Sequence, residues 1–504
     1  MLPRLPARMG RTQREIVALR GVNYTDSFSD GDLAQSLNLS TRRWPYLSTR
    51  WGRTHVSGYD GASALTAWEE LVVVKDGRLY YGGQDVGGIS PGAKQFAVVN
   101  TKLIIWPDKK YLDLQSLTIL PLGASASGSG AVFTGSTLQM AGIAGKFSAG
   151  DTVSIEGSSI SANNKDIQVR SVSGDTITVT ENGFTAGTST TEVTVERKIP
   201  DLDFICESEN RLWGCSNATR TLYASALGDP TNFYTFQGLS TDSYAVAVGS
   251  EGDFTGCCKL SSGVLFWKER TLHKLLGSYP AEYAQYTYSV EGLKAGCHKS
   301  MQVINEVLYY MGVGGVYAYS GGTPEKISPG FDGQDFRGAV AGTDGERYYL
   351  SVSQGQANHL FTYDLGKGIW LREDGARCVD FARLGSSLYF LTAGGEVWQT
   401  RGGDDAGLEW EAQFAPFYET AQGRKRYSRL TLRLELPRGS WLRAQLRSNN
   451  GSWETCAQWT GAEADALTAA LPIRRGDKME LRLHGHGPCA VLSISREFSV
   501  GSER

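Results

Sequence analysis

At 504 residues the chain exceeds what one hydrophobic core sustains, so it divides into about two to four folding units or spreads its core over repeated modules. Its 61 glycines, 23 tyrosines and 12 tryptophans favour turns and pleated, half-buried surfaces, an all-β composition. A formal net charge of −3 excludes a protein whose whole surface binds nucleic acid, and no apolar run reaches the roughly 18 residues of a membrane helix.

The opening residues lack the apolar core and small-residue cleavage site of a secretory signal, so the chain is expected to be made in the cytosol and to stay there until assembled. Residues 1–35 read as an exposed N-terminal arm: Arg4, Arg8, Arg11, Arg14 and Arg20 face a single acid, Glu15, in the first twenty positions. From about 65 one theme repeats, as in "WEELVVVKDGRLYYGG" (68–83), "KQFAVVNTKLIIWPDKKYLDL" (94–114) and "MQVINEVLYYMGVGGVYAYSGG" (301–322). Each is an apolar strand, a polar or Gly-containing turn such as Asp76-Gly77 or Glu209-Asn210, and a second strand with an aromatic. Leu265, Leu308, Tyr348 and Leu388 recur at about 40 residues, the period of a four-stranded propeller blade.

A lone meander cannot bury both faces, whereas blades around an axis cover one another. The expected fold is therefore an all-β chain: a β-propeller of six or seven blades over 36–122 and 199–404. "DLAQSLNLSTRRWPYLSTR" (32–50) is placed to supply the strand that closes the ring. Residues 123–198 break the period; "GASASGSGAVFTGS" is linker-like and the alternating run after it predicts a small β-barrel inserted in a blade loop. In 405–504 Leu430, Leu432 and Leu434 alternate with Arg429, Thr431, Arg433 and Glu435, which predicts a separate C-terminal β-sandwich with one wetted face.

Signs of chemistry are sparse. The eight cysteines show no CxxC pair and sit in apolar runs, the pattern of buried reduced thiols. His484-Gly-His486 resembles a turn more than a metal site, no GxSxG elbow occurs, and "GVGG" (312–315) lacks the helix and the Lys-Ser or Lys-Thr of a phosphate loop. Asp344, Glu346, Asp364, Glu373, Asp374 and Asp380 fall in predicted turns or at strand ends, where solvated acids are ordinary. No catalytic, cofactor or metal site is expected, and the chain reads as a non-enzyme. Two basic clusters remain, Arg42, Arg43, Arg50 and Arg53, and Arg424, Lys425 and Arg426; they are solvated surface or a patch that touches another subunit or DNA phosphate.

"ENRLWGCSNATRTLYASALGDPTNFYTF" (209–236), "SSGVLFWKERTLHKLLGSYP" (261–280), "NEVLYYMGVGGVYAYSGG" (305–322) and "LRGVNYTDSFSDGDLAQSLNLSTRRWPYLSTR" (19–50) resemble tailed-bacteriophage virion propeller proteins of the podovirus nozzle, tail-hub or DNA-stabilisation kind. The resemblance implies a structural virion protein in the phage tail. It would form a ring with itself, commonly a hexamer, contact other tail or portal and adaptor proteins, and let double-stranded DNA pass without sequence specificity. The inserted barrel and the C-terminal sandwich depart from that pattern. The alternative is a receptor- or glycan-binding propeller with Trp44, Trp370, Trp398, Trp441, Trp453 and Trp459 as candidate stacking platforms; a polysaccharide-degrading propeller is a third reading.

Overall fold

The computed structural model describes residues 10–419, 423–462, 466–471 and 475–500; Arg4 and Arg8 of the expected arm lie outside them. The chain is all-β, and seven four-stranded antiparallel sheets form a propeller. Blade 1 runs through Ala62–Trp68, Glu70–Lys75, Arg78–Tyr81 and Gln84–Gly88, and blade 2 from Gln95–Val99 to Thr118–Pro121. Blades 3 to 6 begin with Phe204–Ser208, Gly256–Leu260, Gln302–Ile304 and Arg337–Thr343. Blade 7 combines Cys378–Leu384, Ser387–Thr392 and Val397–Gly403 with Gly52–His55, taken from before blade 1.

The apolar runs become intelligible once both blade faces are covered, because alternate residues of one strand serve two different cores. Leu71 and Val73 pack against blade 7, while Val72 and Val74 pack against blade 2. Val264 and Phe266 join the core shared with blade 3, whereas Leu265 and Trp267 join the core shared with blades 5 and 6. The clusters follow one another around the circle and return to blade 1 through Ala382, Leu391 and Val397.

The closing strand is Gly52–His55, just beyond the 32–50 stretch expected to supply it. That stretch belongs elsewhere. Gly21–Val22, Asp32–Leu37, Leu39–Ser40 and Leu47–Thr49 are strands of a terminal sandwich, together with Glu409–Phe414, the long Lys425–Ser448, Met479–His486 and Ala490–Val500. The expected arm is also structured from Thr12: Thr12–Ile16 pairs antiparallel with Ala490–Val500, Thr12 opposite Phe498. The reason is a short alternation, Ile16 turned inward beside Leu19 and the more exposed Gln13 and Glu15 between polar neighbours. The sandwich is thus made from both ends of the chain, and its core takes in Ile369 and Leu371 from the outer strand of blade 6.

The insert occupies Ala124–Arg197 as a four-stranded and a five-stranded sheet around Phe133, Leu138, Phe147, Ile155, Ile177 and Val195. It leaves the propeller between blades 2 and 3 rather than within a blade loop. Its first and last strands pair, Ala124 opposite Arg197, so the propeller sees two adjacent chain ends and its own geometry is undisturbed.

The "ENRLWG…ALGDP" stretch turns out to be the bracket that holds this insert. Glu209 and Asn210 both adopt positive φ, the geometry of a two-residue hairpin turn. The Asn210 side-chain amide donates to Asn100 Oδ1 (2.7 Å), and Asn100 Nδ2 donates to Gly228 O (2.8 Å). Buried Arg211 donates to the carbonyls of Ser225 (2.8 Å), Ser240 (2.6 Å) and Asp242 (2.5 Å), shaping the 225–243 loop from beneath. That loop grips the insert: Asn232 Nδ2 donates to Gly150 O (3.0 Å), and Thr152 Oγ1 donates to Tyr234 O (3.0 Å).

Two outcomes follow from this framework. A Cβ at Gly403 would sit 2.0 Å from the Arg53 carbonyl oxygen in the closing strand, so Gly403→Ala should lower stability by about 1–3 kcal/mol, read as a drop in melting temperature. Arg211→Met leaves three carbonyls without their donor; it should raise amide hydrogen exchange across 225–243 before it affects blades 5 to 7.

Candidate functional site

Two spaces in the propeller gather polar side chains. The first lies on the axis, a cavity of about 240 Å³ bordered by the inner strand or preceding loop of all seven blades, from Leu65 and Thr66 to Asp380 and Phe381. Lys299 and Asp380 form an ion pair across it, and the second Asp380 oxygen accepts the Leu65 N–H (3.0 Å), tying blades 5, 7 and 1 together. Burial pushes the Asp380 carboxyl up, against the pull of the Lys299 ammonium. His298 lies against Phe204, ring centroids 5.1 Å apart; burial, helped by Lys299, lowers its imidazole to about 4. Cys257 faces the core shared with blade 3 and Cys258 packs toward the core shared with blade 5, opposite sides of one strand. A duplex whose major groove alone is about 12 Å wide does not fit along such an axis.

The second space is a cleft of about 510 Å³ between blade 7 and the chain where it passes to and from the sandwich. An aromatic row crosses blade 7 from axis to rim: Phe381 is opposite Phe390, Phe390 opposite Trp398, and Trp398 opposite His55. Directly opposed residues share a face, and Phe390 and Trp398 line the cleft. The Trp398 indole N–H donates to Glu396 Oε2 (3.1 Å), and His55 lies 5.1 Å from it, centroid to centroid.

Arg50 and Arg53 also line the cleft. Arg53 donates to Asp374 (2.7 Å) and Glu373 (2.6 Å), with its guanidinium 5.0 Å from the Phe390 ring centroid. Burial alone would lower its pKa, but the two carboxylates hold it above the ordinary value. Arg50 donates to Asn38 Oδ1 (2.7 Å) and the Trp51 carbonyl (2.8 Å), with Glu373 and Asp374 at 3.9 and 3.8 Å. This cluster joins the closing strand, blade 6 and the sandwich; breaking one buried partner of such a pair costs about 3–5 kcal/mol.

The other basic candidates are also engaged. Arg42 lies 3.7 Å from Asp405 and 5.4 Å over the Trp51 ring, and Arg43 makes a two-pronged contact with Glu435. Buried Lys425 donates to Asp477 (2.8 Å to its carbonyl), Arg424 is exposed and Arg426 half-buried. Four of the seven thus meet at the propeller–sandwich junction, paired with carboxylates; the other three start the long sandwich strand.

Except for exposed Glu346, the acids differ from the expectation of solvated turn residues. Asp344 binds Arg401 (2.7 Å) and the Tyr349 hydroxyl (3.1 Å), Asp364 accepts from Thr41 (2.5 Å), and Glu373 and Asp380 are buried. Among the candidate stacking residues, Trp370 is core, Trp44 carries Lys367 at 5.1 Å, and Trp453 is flanked by Arg447 and Arg482 at 4.8 and 4.4 Å. Trp441 has Arg443 at 5.5 Å, Trp459 packs on the sandwich core, and Trp398 lines the cleft. His484 and His486 are not in a turn: the strand runs through both, and the turn comes at Gly487. Among the described residues no group of three or more His, Cys, Asp or Glu is placed to hold a metal, and no helix is long and apolar enough to cross a membrane. Phe390, Glu396 and Asp404 escaped sequence reading because only the return of blade 7 onto residues 50–55 puts them beside Arg50 and Arg53.

No protein-family model matches the chain, and no curated protein matches it in sequence. Solved structures resemble it in part. BamB from Moraxella catarrhalis covers 70% of this chain and 97% of its own at 11% identity and a TM-score of 0.34. A phage phi92 endosialidase covers 88% and 81% at 10% identity and a TM-score of 0.26. The exo-β-1,3-galactanase of Phanerochaete chrysosporium covers 57% and 92% at 8% identity and a TM-score of 0.23. Likenesses this remote concern architecture and say nothing of this chain's activity. Glycoside hydrolases and an endosialidase are among the structures it resembles, and the expectation of a non-enzyme is withdrawn.

The buried imidazoles make a pH prediction. His273, like His298, is lowered to about 4 by burial. Between pH 6.5 and about 4 the unfolded chain takes up protons that the folded imidazoles refuse, so their contribution is complete above 6.5 and is lost as pH falls toward 4. Melting temperature against pH should therefore decline over this window, and His298→Gln should decline less steeply than the unaltered protein.

Proposed function

We propose that the chain is a structural component of a tailed-phage tail, which assembles with copies of itself in a ring, sixfold as the resemblance implies, and with tail or portal neighbours. The observation that supports this reading is the double closure of the unit. One strand from the N-terminal side completes blade 7, and both ends of the chain are woven into one sandwich that packs on blade 6. Such a closure ties the strand that precedes blade 1 to blade 7, so the ring does not open between them. In this reading double-stranded DNA runs between subunits and not along a propeller's own axis, where Lys299 and Asp380 pair in a cavity of about 240 Å³.

Electron microscopy of the native assembly, or of the protein at high concentration, tests it. A closed ring with an open channel continuous with a tail is the expected result; monomers, or trimers at the periphery with the sandwich pointing outward, overturn it.

A second reading, a tail protein that binds a receptor glycan, is favoured by the cleft at Trp398. There an aromatic pair, two guanidinium groups and two carboxylates border one space at a junction of folding units, the usual place for ligand sites. Release of reducing sugar from a bound polysaccharide separates cleavage from binding alone.

A further inference from the structure

From the chemistry of its walls, we infer that the Trp398 cleft is a site for a neutral saccharide, an inference that rests on the glycan-binding reading. Its volume of about 510 Å³ falls within the range of small-ligand pockets, about 300–1,000 Å³. Half-buried Trp398 lines the cleft and offers its ring to the C–H face of a sugar, while its cross-strand neighbour Phe390 is buried beneath Arg53 and backs the wall. His55 and the Glu396 bond fix the indole from its edges, so little side-chain entropy remains to be lost when a ring settles on it.

The polar groups select among ligands. Glu396 uses one oxygen on the Trp398 indole, and Asp404 uses one on the Ala406 N–H (2.9 Å); both residues are exposed, and each keeps a second oxygen as acceptor. On the opposing wall, Arg53 spends its two terminal nitrogens on Glu373 and Asp374, and its buried Nε–H has no partner. The free carboxylate oxygens suit the hydroxyl groups of a sugar, each of which can donate a hydrogen bond. A sialate or phosphate would meet the unneutralised Glu396 and Asp404. Arg50 and Arg53 offer such a ligand no free charge in return. The charges of those arginines are already balanced by Glu373 and Asp374, which leaves the cleft with a modest negative excess and no attraction for an anion.

The experiment uses the full chain on an array of neutral oligosaccharides of glucose, galactose and N-acetylglucosamine, with sialyllactose as the anionic counterpart, followed by calorimetry on the neutral sugar bound most strongly. Trp398→Ala and Asp404→Ala should each weaken that binding at least tenfold. Trp453→Ala, in the sandwich, should leave it unchanged, with melting curves showing all three variants folded. Asp404 is exposed in a loop, so its variant keeps the test valid if Trp398→Ala fails to fold. Undiminished binding by the folded cleft variants moves the site elsewhere and overturns the inference while the glycan-binding reading stands. Stronger binding of sialyllactose overturns the neutral assignment, and binding to none of these sugars overturns both.

Discussion

A propeller blade has two apolar faces, and neither can be left to water. That constraint reaches down to single residues: in Leu103-Ile104-Ile105-Trp106, Leu103 and Ile105 serve the core shared with blade 1, and Ile104 and Trp106 serve the core shared with blade 3. Each fully buried side chain of this size contributes about 1.5–3 kcal/mol, but only if the neighbouring blade is present. The cores therefore stabilise one another around the circle, and a gap would expose two faces at once. Closing blade 7 with Gly52–His55 removes that gap and covers an edge that would otherwise pair with other chains.

The same strand fixes the relation between the propeller and the sandwich. Arg50 and Arg53 stand on either side of the point where the chain leaves one body for the other, and both approach Glu373 and Asp374 at the end of blade 6. A charge buried without a partner is costly, so the four groups have one acceptable arrangement. Packing of Ile369 and Leu371 into the sandwich core adds apolar area beside it. The cleft at Trp398 is a by-product of this joint: its aromatic wall is blade 7, and its cationic wall is the residues that lock the joint.

The architecture was legible in the sequence wherever it depends on near neighbours. Hairpin turns such as Glu209-Asn210, the recurrence of about 40 residues, and the alternation of Leu430, Leu432 and Leu434 are local signals, and the all-β propeller with an inserted and a terminal β unit is borne out. What depends on distant partners was not legible. Residues 12–16 alternate too briefly to be distinguished from an exposed arm until Ala490–Val500 lies beside them. Arg42, Arg43, Arg50 and Arg53 read as a basic cluster because their counter-charges, Asp405, Glu435, Glu373 and Asp374, are more than 300 residues away. Likewise, Trp398 looks like the other tryptophans until the fold separates the cleft from the cores.

Ring closure by Gly52–His55 also sets an order of events during synthesis. The strand made near the start must wait for Val397–Gly403, roughly 350 residues later in the sequence. At translation speeds of about 5–20 residues per second that interval is on the order of 20–70 s, with blades 1 to 6 accumulating as an open stack. Contacts of such sequence separation are slow to form. The nascent chain thus passes through a long period in which Val397's future neighbours in blade 1 are uncovered, and a ribosome-bound holdase or a rapid supply of assembly partners would have its greatest effect then, before the circle is complete.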